Sequence, residues 1–117
     1  MAMSELARQL QASREGDEAS TRALFERYRP RVLRLLDGMG SLDADEQEDV
    51  AQDTFARAFR SLGSLTDPSR FEAWLYAIAR NRARTALERR QNRERTREQL
   101  REETELTVAQ VPASLQA

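Results

Sequence analysis

Neither cysteine nor histidine occurs among the 117 residues. Their absence excludes a disulfide framework, a Cys/His zinc site, a thiol nucleophile and a histidine acid–base pair. Lysine is missing as well, and all 19 basic residues are Arg. Four Gly and three Pro are too few for the tight turns of a sandwich or barrel. No apolar run approaches the roughly 18 residues of a membrane span, and Met1–Leu10 lacks the basic-then-apolar order of a secretory signal. What remains is 39% apolar and 33% charged, enough for one domain with one core. The expectation is a cytoplasmic, all-α chain with no catalytic residue, no metal and no cofactor.

The net charge of −1 conceals a strong asymmetry. From Asp37 to Asp53 there are seven acidic residues and no Arg, whereas Arg70 to Arg97 carries nine Arg against three Glu. Two patches of opposite sign can serve two different surfaces, so the whole-chain charge says little about partners.

Apolar spacing of three and four residues predicts four helices. Ser4–Arg14 presents Leu6, Ala7 and Leu10 on one side and stops at Gly16–Asp17. Glu18–Leu36 carries Leu24, Phe25, Tyr28, Val32, Leu35 and Leu36; Pro30 inside it should kink or divide the helix. The third helix is expected to start near Asp45, with Asp45 and Glu48 as an acidic capping box. Its buried stripe is Val50, Phe55, Ala58, Phe59 and Leu62, and Gly63 closes it. The fourth has two competing starts: Asp67 as cap with Pro68 at the first position, or Ser69 as cap with Glu72 reaching back. Phe71, Trp74, Leu75 and Ile78 form its core face. Glu88–Glu105 is nearly all charged or Gln/Thr, and reads as a solvated rod continuing that helix or as a marginal one. Val108–Ala117, with Pro112, reads as a linker or tail.

Enzymatic chemistry is hard to assemble from these parts. An EF-hand loop starting at Asp43 needs Gly where Glu48 stands and Glu where Thr54 stands. Neither a Gly-rich phosphate loop nor a nucleophile elbow is present. Asp49, Gln52, Asp53 and Ala56 share one face of the third helix, opposite Val50, Phe55 and Phe59. They form either a solvated face near a helix N-terminus or a docking strip for a basic partner helix. Tyr76, Arg80, Asn81, Arg84 and Glu88 fall away from the core stripe of the fourth helix. They form either a second solvated face or a nucleic-acid surface, in which Arg neutralises phosphate, Asn meets a base edge and Tyr stacks. Trp74 reads as core. The small, polar loop Ser64–Arg70, at the positive end of this helix, can form a pocket.

Three stretches carry a resemblance in order and spacing: Ala23-Leu-Phe-Glu-Arg-Tyr-Arg-Pro-Arg-Val32, Asp49-Val-Ala-Gln-Asp-Thr-Phe-Ala-Arg-Ala-Phe59 and Phe71-Glu-Ala-Trp-Leu-Tyr-Ala-Ile-Ala-Arg-Asn81. Together they resemble region two of bacterial RNA polymerase sigma factors, most closely the extracytoplasmic-function (ECF) group. The likeness divides the chain into a short N-terminal helix (1–16), a region-two domain (17–90) and a charged extension with tail (91–117).

The resemblance implies a compact helical domain whose Asp49, Gln52, Asp53 and Ala56 dock on the clamp-helix coiled coil of the polymerase β′ subunit. It further implies that the loop and fourth helix recognise the −10 promoter element on the non-template strand. One base would flip into a pocket at Ser64, Leu65, Thr66 and Ser69, beside Arg70. Asn81 would meet a −10 base, with Tyr76, Arg80 and Arg84 along the strand. An anti-sigma protein is an expected further partner.

Three features depart from the family pattern. No region-four segment follows Arg97, which implies an isolated fragment or a short member. Leu65 stands where an aromatic is frequent, and Ser20-Thr21 replaces a frequent Ala-Phe. Two other readings remain open at this point. One is an interaction module of the same fold without productive DNA contact. The other is an RNA-binding arginine-rich helix at Arg89–Arg97, which the nearby Glu94, Glu98, Glu102 and Glu103 oppose.

Overall fold

The computed structural model describes residues 4–110. Four helices follow one another, α1 (Glu5–Arg14), α2 (Glu18–Gly38), α3 (Ala44–Arg60) and α4 (Phe71–Gln110), with 3₁₀ turns at Leu62–Ser64 and Pro68–Arg70. No strand is present among the described residues. The all-α expectation is met. The chain falls into two units, Met1–Ala86 and Leu87–Ala117.

Each helix of the first unit begins and ends where local chemistry dictates. Ser4 caps α1 by accepting from the Ala7 N–H at 3.1 Å. Gly16, at φ 93°, ends it: the Asp17 N–H reaches the Ala12 carbonyl and the Gly16 N–H the Ser13 carbonyl, both at 3.0 Å. That pair of bonds is a Schellman motif, which favours glycine at the left-handed position. Asp17 then caps α2 through the Ser20 N–H. A three-residue connection, Glu15–Asp17, therefore fixes α1 against α2.

Two local expectations are corrected, and of the two outcomes expected at Pro30 one is excluded. Pro30 does not divide α2, which runs unbroken to Gly38. Pro30 lies on the exposed face, where the Glu26 carbonyl that loses its helical donor is open to water. The capping box of α3 is Asp43 with Glu46, two residues earlier than expected: Asp43 accepts from the Glu46 N–H at 2.8 Å and Glu46 from the Asp43 N–H at 2.9 Å. Both pairs have the same spacing, and burial of Leu42 just before the cap decides between them. Gly63 does not close α3; the helix ends at Arg60 and Leu62 turns into the core on a 3₁₀ step.

The start of α4 resolves in favour of Asp67. Its carboxylate accepts from the Ser69 N–H at 3.0 Å and the Ser69 hydroxyl at 2.7 Å, holding Pro68–Arg70 as a 3₁₀ turn that runs into Phe71. Glu72 instead accepts from the Tyr76 hydroxyl at 2.8 Å.

The core lies where the apolar stripes converge: Leu10 from α1, Leu24 and Val32 from α2, Phe55 and Ala58 from α3, Phe71 and Leu75 from α4. A fully buried Leu or Phe contributes about 1.5–3 kcal/mol. Edge-to-face pairs lock the helices: Phe25 on Phe55 and Tyr28 on Phe71, each with ring centroids 5.0 Å apart. Thr54, the buried polar residue among them, is satisfied within its own helix by the Val50 carbonyl at 2.7 Å.

In the second unit the helix continues from Leu87 to Gln110, and its side chains are exposed almost throughout Leu87–Thr107. Neighbouring charges pair along it, as at Arg101–Glu98, 2.6 Å. The expected tail is helical over Val108–Gln110; its remainder lies outside the described residues.

Candidate functional site

The acidic strip lies along α3. Asp49, Gln52 and Ala56 are exposed on one face, while Val50, Ala51, Thr54 and Phe55 are buried on the other. Asp53 differs from its neighbours. Its carboxylate accepts from Arg82 of α4 at 2.7 Å and from Arg57 at 3.3 Å. Partial burial pushes the Asp53 carboxyl up, but the hydrogen bond and charge of Arg82, joined by Arg57, outweigh it and hold the group below the ordinary carboxylate range. Arg82 is only 14% exposed, so this pair ties α3 to α4 as well as shaping the surface. Beside the strip, Arg29 of α2 forks onto both oxygens of Glu48 at 2.5 and 2.7 Å.

Arg82 escaped the sequence reading, although a signal was there. It falls in the register of Phe71, Leu75 and Ile78, and an Arg in an apolar stripe calls for a carboxylate across the interface.

The second surface is a cavity between the α3–α4 connection and the first turn of α4. Ser64, Leu65, Thr66, Asp67, Arg70, Ala73 and Trp74 line it. Of the four expected pocket residues, three come together here, Ser64, Leu65 and Thr66, and Arg70, expected beside the pocket, joins them. Leu65 is buried and contributes its side chain to the core as well as to the cavity wall. Ser69 is not among the lining residues; its hydroxyl is committed to Asp67. The Ser69 hydroxyl and N–H, with Arg70 nearby, hold the Asp67 carboxyl below the ordinary range, so a negative charge sits at the cavity rim.

Trp74 does two things at once. It is half-buried, packs on Phe71 with centroids 6.1 Å apart, and supplies the aromatic wall of the cavity. Its place in the apolar stripe had favoured core over a base platform. An indole at the flank of a stripe buries one side and offers the other, which spacing does not distinguish from full burial.

Beyond the cavity, Arg80, Asn81 and Arg84 are exposed on α4. Neither Arg80 nor Arg84 makes an ion pair among the described residues. At about 100° per residue, Asn81 lies about 20° around the helix from Trp74 and about 10 Å farther along it. Cavity and Asn81 thus share one side. Tyr76 does not: it is about 140° from Asn81 by the same geometry. Its hydroxyl donates to Glu72, and it lines a separate groove with Arg31, Arg34 and Leu35. Burial, then the bond to Glu72, raises its pKa.

Among the described residues no group of three or more His, Cys, Asp or Glu could hold a metal ion, and no helix is long and apolar enough to cross a membrane.

Comparison with known proteins places the chain in a family. The family model for Sigma-70 region 2 matches residues 24–93, a span that takes in α3, the cavity loop and Asn81. The RNA polymerase sigma-H factor of Pseudomonas aeruginosa is 39% identical over 72 residues, covering 62% of this chain and 37% of the relative. ECF RNA polymerase sigma-E factors of Haemophilus influenzae and Escherichia coli are 37% and 34% identical over 73 residues, covering 62% of this chain and 38% and 37% of theirs. The chain thus spans less than two fifths of the length of these curated relatives. With more than half of its residues under the family model and the helices folded across the same span, the chain belongs to the Sigma-70 region 2 family and is similar to its ECF members.

Proposed function

We propose that this chain is a promoter-recognition module: it docks on the β′ clamp helices of core RNA polymerase and recognises and melts the −10 element. The α3 strip is the docking surface. Asp49 and Gln52 meet the basic partner helix, with Ala56 leaving room for close approach, and Asp53 adds charge while its ion pair with Arg82 keeps α3 in register. The cavity and the outer side of α4 hold the non-template strand. One flipped base enters between Ser64, Leu65, Thr66 and Trp74; Asn81 meets a neighbouring base; Arg70 and Arg84 lie along the backbone, and Arg80, about 100° around the helix from Asn81, reaches it from the flank.

Melting needs no catalytic group. Unstacking a base costs on the order of a few kcal/mol, which aromatic stacking, a base-edge bond and phosphate contacts on the displaced strand offset. The duplex offers none of the base contacts, so the open strand is favoured. The observation that carries this reading is the alignment of a Trp-walled cavity with Asn81 on one side of α4, inside the family-matched span.

Fluorescence anisotropy tests it. Single-stranded oligonucleotides carrying −10-like sequences should bind more tightly than the same sequences as duplex. The preference should vanish in Asn81→Ala, and affinity should fall steeply with salt. Equal affinity for single strand, duplex and RNA hairpin would instead indicate contact through charge alone.

A further inference from the structure

The cavity loop is tied down from outside the family-matched span. Arg14, at the last turn of α1, is half-buried and points its guanidinium at the α3–α4 connection. Its Nε donates to the Leu62 carbonyl at 3.2 Å, and its Nη2 donates to the Leu65 carbonyl. A third contact, Nη1 to Gln11 Oε1 at 3.4 Å, steadies the side chain on its own helix. The Schellman turn at Gly16 and the packing of Leu10 fix where α1 presents this Arg.

The loop needs such a tether. Its backbone closes on itself at the 3₁₀ steps, Ser64 N–H to Ser61 and Leu65 N–H to Leu62 on one side and Arg70 N–H to Asp67 on the other. Between them, residues 65–67 run without regular structure. They position Leu65 and Thr66 on the cavity wall. The planar Arg fork spans two carbonyls three residues apart, a geometry that a Lys ammonium does not reproduce.

We infer that Arg14 is a positioning residue for the recognition cavity: its bonds to Leu62 and Leu65 set the shape of the loop that faces Trp74. What the cavity receives rests on the promoter reading above; the tether itself does not. Arg14 touches no base. It acts through the loop, so α1 belongs to the recognition machinery although it lies outside residues 24–93.

The test uses the whole chain and its single Trp as reporter. Arg14→Ala, Arg14→Lys and wild type are compared below their melting temperatures, with helicity checked by circular dichroism. Acrylamide quenching of Trp74 emission should rise in Arg14→Ala and lie between the two in Arg14→Lys. Affinity for a −10-like single strand should fall about tenfold in Arg14→Ala, the size expected for losing charge-assisted bonds, and recover partly in Arg14→Lys.

Unchanged quenching and unchanged affinity in Arg14→Ala, with Asn81→Ala still defective, would overturn the tether while leaving the promoter reading intact. A lower melting temperature with an unaltered Trp74 signal would also overturn it, since that is mere scaffolding. If wild type bound no single strand but quenching still rose in Arg14→Ala, the tether would stand and the promoter reading would fall.

Discussion

The two surfaces are built in different ways. The acidic strip comes from consecutive turns of one helix, tied to another element at Asp53 through Arg82 of α4. The cavity is composite. Its wall comes from the α3–α4 connection, its aromatic side from α4, and its backbone anchor from α1, about fifty residues away in sequence. A one-helix surface tolerates substitution where no other element depends on the residue, as at exposed Asp49 but not at Asp53. A composite surface responds to changes at residues that never touch the ligand. This contrast also orders how much of each was visible beforehand.

Charge reversal on the strip should have the largest effect. Asp49→Arg, at an exposed position, should weaken binding to a β′ clamp-helix fragment about a hundredfold, since like charges facing across an interface cost several kcal/mol. Helicity should be unchanged. Asp53→Arg is a poorer probe because it strands the largely buried Arg82.

Next in size is Asn81→Ala, with about a tenfold loss of single-strand affinity, the low end of a bidentate base contact. Clamp-helix binding should stay as in wild type, which sharpens the separation of the two surfaces.

The ion pair under the strip gives a smaller effect, readable in the pH dependence of thermal unfolding. The Asp53 pKa is depressed in the folded state. Its contribution is therefore fully present above the unfolded carboxylate value, about 3.9, and is lost as pH falls through the lower folded value. Because the carboxylate is 42% exposed, solvent screening limits the contribution to less than about 1 kcal/mol. Asp53→Asn should lower the melting temperature slightly at pH 7 and flatten its fall below about pH 4. An identical pH profile in the variant would remove Asp53 from the list of stabilising carboxylates.

Smallest of all should be Tyr76→Phe. Its hydroxyl is engaged with Glu72 on the other flank of α4, so single-strand affinity should not change. A clear loss would mean that the strand wraps farther around α4 than the Trp74–Asn81 side.

The strip was legible because spacing is its only ingredient: Asp49, Gln52, Asp53 and Ala56 share a face in any helix that buries Val50 and Phe55. The four helices followed from the same periodicity. Boundaries were less legible, since Asp43/Glu46 and Asp45/Glu48 offer equal capping chemistry and only the burial of Leu42 separates them. The small, polar loop Ser64–Arg70 was legible as pocket-forming, and resemblance to the family supplied the particular pocket residues. Trp74 as a cavity wall, Arg82 as the partner of Asp53 and Arg14 as the tether were not legible, because each depends on packing between elements distant in sequence. Tyr76 was grouped with Asn81 because both leave the core stripe; the helical wheel alone separates them by about 140°.

The most direct test of two independent surfaces is the affinity of a labelled β′ clamp-helix fragment for wild type, Asp49→Arg and Asn81→Ala, measured by anisotropy. The expected result is loss in Asp49→Arg and wild-type affinity in Asn81→Ala. Wild-type affinity in Asp49→Arg, or equal loss in both, would contradict the assignment of polymerase docking to α3 and strand recognition to α4.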